Sequence, residues 1–159
     1  MMNGKRNSGL WLAVATATLL AGTVGLSQGG HNDHDDNGDP DDQDLGAPGV
    51  YRVIDGNVDE GTFQGYETYS RSCMACHGAD GLGSSFAPSL LRAAERRTWE
   101  EFSRTVAEGQ EIQPGQVMPS FADDPYVMQN LADVYSYLKA RADGELGRGR
   151  PGIIEDDQE

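Results

Sequence analysis

The sequence predicts an all-α domain of three or more helices wrapped around a bound group. Three observations carry that expectation. Apolar residues recur at helical spacing in three separate stretches. No region reads as rich in strands. The connections between the helical stretches, Gly78 to Leu90 and Gln110 to Asp124, are long and rich in Gly and Pro. A compact domain seldom tolerates such loops unless they enclose something.

The first helix is expected over Thr62 to Ser72, where Phe63, Tyr66 and Tyr69 recur at three-residue steps. Asp59 and Glu60 place negative charge at its start, where the helix dipole favours it. Gly65 lies where a small residue permits a close crossing against Val134 and Tyr137. A second helix is expected over Trp99 to Glu108. Thr98 and Glu101 form a capping box, Gly109 supplies the stop, and Trp99, Phe102 and Val106 face inward. A third is expected over Tyr126 to Arg141. Leu131, Val134, Tyr135 and Leu138 form its buried stripe, and Lys139 and Arg141 suit its C-terminal end.

These helices belong to one domain, 48–147. Residues 1–27 read as a cleaved export signal, with Lys5 and Arg6 before an apolar run from Leu10 to Leu26 and small residues at Thr23, Gly25 and Ser27. That run is short and mixed for a membrane anchor, and no cysteine follows it to take a lipid. Residues 28–47 carry seven Asp and no Lys or Arg, with almost nothing apolar, and read as a disordered leader. Within it, Asp33 to Gly38 with Asp44 loosely fits a calcium loop. His31 and His34 offer a weak transition-metal alternative, and a solvated linker is the plainer reading. Residues 148–159 read as a flexible tail.

The chain carries a formal net charge of −14. That argues against nucleic acid, whose phosphates would repel it. It favours a partner with a basic docking patch, because complementary fields steer encounter. The predicted domain is acidic in its own right, with 15 acids against 8 bases.

Both cysteines lie in Cys73-Met74-Ala75-Cys76-His77. Cys-x-x-Cys-His is the haem c attachment motif. Two thiols on one turn can add to two vinyl groups on one porphyrin edge, and the adjacent His reaches the iron from that turn. A thioredoxin-like pair should follow a strand, whereas this motif ends an aromatic helix. A zinc site needs four ligands, and the chain has no further cysteine. A structural disulfide leaves the following His unexplained.

Met118, in Gln116-Val117-Met118-Pro119, is the candidate for the sixth iron position, with Pro119 stiffening the backbone after it. Met128 falls inside the third helix pattern, and Met74 inside the attachment turn. Pro88 is placed to present its carbonyl to the Nδ1–H of His77, which fixes the ring and raises its basicity. The acidic pairs Glu100-Glu101 and Asp123-Asp124 read as solvated faces. The latter follows the Met118 loop and is placed to border an exposed haem edge.

The order of helix, Cys73 to His77, Pro88, Met118-Pro119 and aromatic C-terminal helix resembles the class I c-type cytochromes over roughly 60–142. That resemblance implies the class I fold, all-α, around one covalent haem c. It implies electron transfer, not catalysis. The acidic balance, with Tyr137 to Gly144 and Gly147 to Pro151, is similar to the cytochrome cL type of periplasmic carrier. That similarity implies a periplasmic monomer taking electrons from a PQQ-dependent alcohol dehydrogenase and passing them towards a terminal oxidase. A carrier for another periplasmic dehydrogenase or oxidase is the alternative within this class. If Met118 does not bind iron, an open-site haem enzyme or sensor is the alternative outside it.

Overall fold

The computed structural model describes residues 44–155. Residues 1–27, expected to be an export signal, and nearly all of the Asp-rich leader lie outside the described residues. Of the calcium-loop positions only Asp44 is described, and its carboxylate accepts the N–H of Gly46 at 3.3 Å.

Helix α1 (Glu60–Ser72) begins on Asp59, whose carboxylate accepts the Thr62 N–H at 2.9 Å and the Thr62 hydroxyl at 2.7 Å. The same carboxylate takes the Arg52 N–H at 2.8 Å, so the cap also pins the chain before the helix. The innermost face of α1 is Thr62, Gly65, Thr68 and Tyr69. This differs from the expected Phe63–Tyr66–Tyr69 stripe, of which only Tyr69 is fully buried. The two threonines are tolerated inside because Asp59 and the Tyr126 hydroxyl satisfy their hydroxyls.

Helix α2 (Met74–His77) is a single turn after α1, followed by a 3₁₀ turn at Ala79–Gly81. Helix α3 (Leu91–Arg96) lies in a stretch for which the sequence reading expected no helix. Helix α4 (Trp99–Glu108) has the expected bounds, with the Thr98–Glu101 capping box formed in both directions. The expected third helix is two: α5 (Pro125–Gln129) and α6 (Leu131–Ala142). They part at Asn130, where φ is −104° and ψ 12°. There the side-chain amide donates to the Tyr126 carbonyl at 2.7 Å.

The all-α expectation needs correction, since the domain is mainly helical with two small sheets. Strands β1 (Val53–Ile54) and β2 (Asn57–Val58) pair as an antiparallel hairpin. Its turn, Asp55-Gly56, has positive φ at both residues, the conformation that Asp-Gly favours in two-residue hairpins. Strands β3 (Gln110–Gln113) and β4 (Gln116–Met118) form a second hairpin in the segment read as a loop. The described part of the expected tail also differs. Strand β5 (Gly152–Ile153) runs parallel to β2, giving the order β1-β2-β5.

The core lies between α1 and α6. They approach closely at Gly65, where a Cβ would stand 2.0 Å from the Asp133 carbonyl oxygen. Tyr69, Val134, Tyr137 and Leu138 are buried around it, each large apolar side chain contributing about 1.5–3 kcal/mol. The Tyr69 and Tyr137 rings pack 5.5 Å apart. A second aromatic cluster joins α4 to α6, with Phe102 and Tyr135 centroids 5.0 Å apart. Among the described residues no helix is long and apolar enough to cross a membrane.

Candidate functional site

Cys73 both ends α1 and starts α2, so one turn carries Cys73, Cys76 and His77. The turn closes through the His77 N–H to the Cys73 carbonyl at 2.9 Å. His77 is 7% exposed. Its Nδ1 lies 2.9 Å from the Pro88 carbonyl oxygen. A carbonyl only accepts, so Nδ1 is the donor, and Nε2 is the ring nitrogen left to bind a metal.

The Pro88 carbonyl is held by a tight loop. The Gly83 N–H donates to the His77 carbonyl at 2.7 Å, and the Ser84 N–H to that of Ala87 at 2.9 Å. At Gly83, φ is +92° and a Cβ would stand 2.7 Å from the Ser89 nitrogen. Glycine alone allows that approach. Behind the turn, the Tyr69 hydroxyl donates to the Gly78 carbonyl and accepts the Gly81 N–H at 3.0 Å. Burial pushes that phenol up to about 12.

The turn opens on a cavity of about 340 Å³. Cys73, Cys76, His77 and Pro88 line it together with Met118 from β4 and apolar side chains of α4, α5 and α6. The β3–β4 hairpin brings Met118 there. The Phe121 N–H donates to the Val106 carbonyl at 3.1 Å and the Ser120 hydroxyl to that of Ala107 at 2.5 Å, fastening the hairpin's exit to α4. Met74 packs against the hydrophobic core, as does Met128, and neither lines the cavity.

Burial, and then the neighbouring Cys76, push the Cys73 thiol up to about 11. At neutral pH it is therefore an uncharged S–H beside an apolar space. The donor set is two thiols on one turn, an imidazole with Nε2 free and a thioether. It fits a large, flat apolar group with a soft or borderline metal at its centre. Among the described residues no cluster of three or more His, Cys, Asp or Glu side chains is placed to hold a bare metal ion.

Relatives bear on which group this is. The profile of the family described as cytochrome C oxidase, cbb3-type, subunit III, matches residues 62–138. Cytochrome c-555 of Methylococcus capsulatus is 33% identical over 93 residues, covering 58% of this chain and 72% of that protein. The crystal structure of the c-type cytochrome XoxG from Methylobacterium extorquens AM1 superimposes with a TM-score of 0.62 at 44% identity, covering 68% of each chain. The chain belongs to the c-type cytochromes. Cytochrome c-553I of Paracoccus denitrificans is 41% identical over 111 residues, covering 67% of this chain but 49% of that protein, so the chain spans about half that relative's length. Family membership implies a covalently bound haem c and an electron-carrying role.

Other residues of the cytochrome's cavity carry no signal in the sequence. Phe86, Ile112 and Val117 line it while 73%, 58% and 64% exposed, so they form an apolar rim. Arg97, at the end of α3, also lines it. Nothing local marks any of the four, because their role depends on where loops fold back. Asp124, read as part of a solvated face, has a structural task instead, and Glu101 fills the capping-box role that its spacing predicts. Asp124 caps α5 through the N–H groups of Tyr126 and Val127.

Proposed function

We propose that this cytochrome is an exported, periplasmic carrier of single electrons with one haem c. Cys73 and Cys76 would hold the porphyrin, and His77 and Met118 would bind the iron. The carrying observation is that these four side chains, 45 positions apart at the extremes, line one cavity. Haem supplies the one-electron couple. The chain's own residues set its conditions. The Pro88 carbonyl keeps the His77 ring in one orientation. Met118 would supply a thioether to the iron, which favours the reduced state relative to a second His. The apolar walls exclude water. A site closed on both faces transfers electrons and leaves no position for a substrate.

The electron donor in this reading is a PQQ-dependent alcohol dehydrogenase with a basic docking patch, and the acceptor lies towards a terminal oxidase. The formal charge of −14 supports the sign of the patch. The apolar rim of Phe86, Ile112 and Val117 supports docking over the cavity mouth. Stopped-flow reduction of the holoprotein by a purified quinoprotein alcohol dehydrogenase tests this. The rate is expected to fall as ionic strength rises, since salt screens the steering field. No reduction by any such enzyme would remove this donor and leave the carrier role in place. A far-red thioether-to-ferric-iron band that persists in Met118→Ala would remove Met118 as the ligand.

A further inference from the structure

Among the described residues, Arg97 is the one lining the cavity that carries a permanent charge. Its surroundings make that charge conspicuous. The guanidinium Nη1 donates to the Thr105 hydroxyl at 2.6 Å, and Thr105 in turn donates to the Glu101 carbonyl at 2.7 Å. The backbone carbonyl of Arg97 accepts the Tyr135 hydroxyl at 2.8 Å. Helices α4 and α6 thus both hold the residue in place. Among the described residues Arg97 has no carboxylate partner. A guanidinium has five N–H donors in a planar fork, and Thr105 occupies one. A half-buried cation beside an apolar space is costly unless an anion meets it.

We propose that Arg97 receives a carboxylate of the bound haem, one of its two propionates, as a charge-assisted pair. This rests on the haem reading of the cavity. Such a pair has two effects. It fixes the haem's rotation within the plane, complementing the two thioether bonds at another edge. It also offsets a negative charge near the iron. Without Arg97 the propionate's field is uncompensated, and it favours the ferric form, which carries one more positive charge. The residue therefore raises the reduction potential, and Thr105 is a positioning residue that aims it.

The test compares midpoint potentials of haem-loaded wild type, Arg97→Gln, Arg97→Lys and Thr105→Val, each with its visible spectrum and thermal midpoint. Arg97→Gln is expected to shift the ferrous-to-ferric ratio by about tenfold towards ferric at fixed potential, which is about 59 mV for a one-electron couple. Arg97→Lys and Thr105→Val are expected to give smaller falls, because each keeps the charge but loses the aimed fork. A wild-type potential in Arg97→Gln with the thioether band intact overturns the proposal, whatever its thermal midpoint. If Arg97→Gln does not load haem, wild-type potentials in both other variants overturn it. Wild type lacking covalent haem would fail the functional reading itself, a result separable from either of these.

Discussion

The hydroxyl of Tyr69 ties α1 to the chain just beyond the attachment turn, meeting both the Gly78 carbonyl and the Gly81 N–H. Tyr69→Phe keeps the ring and removes both bonds, leaving two backbone groups without this partner. The expected cost is about 2 kcal/mol in unfolding free energy, read by denaturant titration. The pH dependence follows from the raised phenol. Its folded value, about 12, lies above the ordinary 10 because burial disfavours the phenolate. A group raised in the folded state contributes its stability below the unfolded value and loses it as pH climbs to the folded one. Wild-type stability is therefore expected to decline between pH 10 and 12, and Tyr69→Phe to decline less. Equal slopes in the two proteins would contradict the assignment. At this scale the sequence was legible wherever chemistry demands contiguity. Cys73, Cys76 and His77 must share a turn, and Met118 is marked by the proline after it. Arg97 was not legible, because its position on the cavity wall is made by Thr105 and Tyr135, 8 and 38 residues away.

Elements were legible in proportion to their caps. Helix α4 matched at both ends because Thr98, Glu101 and Gly109 fix its limits locally. The α5–α6 break escaped because the apolar period runs straight through Asn130. The β3–β4 hairpin escaped because Pro114-Gly115 sits in a Gly- and Pro-rich connection and both residues flanking the turn, Gln113 and Gln116, are polar. The β1–β2 hairpin has a local signal in Asp55-Gly56, but its strands are two residues long and too short to carry an alternating pattern. Two glycines test how elements position the site. At Gly65 an added Cβ meets backbone of α6, which cannot give way as a side chain would. Gly65→Ala is expected to cost about 3 kcal/mol, seen as a fall in thermal midpoint. Gly109 sits between α4 and β3 at φ +75°, and its Cβ would lie 2.6 Å from the Met118 carbonyl oxygen. Gly109→Ala should push the hairpin away from α4. The expected readout is a weakened far-red thioether band with haem attachment unchanged, since the attachment turn is on another element. A full-strength band would show that the hairpin's seat on α4 does not place Met118.

Over the whole molecule, both ends of the described chain return to α1 and α6. The Gly49 N–H donates to the Ser136 hydroxyl at 2.9 Å, and the Tyr51 hydroxyl donates to Asp143 at 2.8 Å. At the other end Leu146 is buried, and its carbonyl takes a bond from Arg141 at 2.8 Å. The chain then crosses α1. The Gly149 N–H meets Asp80, and Arg150 lies over the Phe63 and Tyr66 rings while pairing with Glu67. The Ile154 N–H donates to the Val58 carbonyl at 2.9 Å. This clasp covers the outer side of Phe63 and Tyr66, whose rings are only partly buried, while Tyr66 also packs against Tyr137 of α6 at 5.6 Å. A tail and a clasp differ in what truncation does. Ending the chain at Gly147 would cost nothing if 148–159 were a free tail. The clasp predicts a loss. The exposed Arg150–Glu67 pair contributes little, the contact with the aromatic faces about 0.5–1 kcal/mol, and the backbone bonds about 1 kcal/mol between them after exchange with water. The truncated cytochrome should therefore be less stable by about 2 kcal/mol in denaturant titration. Its visible spectrum should match wild type, because no described residue beyond 147 lines the cavity. An unchanged denaturation midpoint would return the segment to the status of a tail, and a changed spectrum would mean that the clasp reaches the haem site through α1.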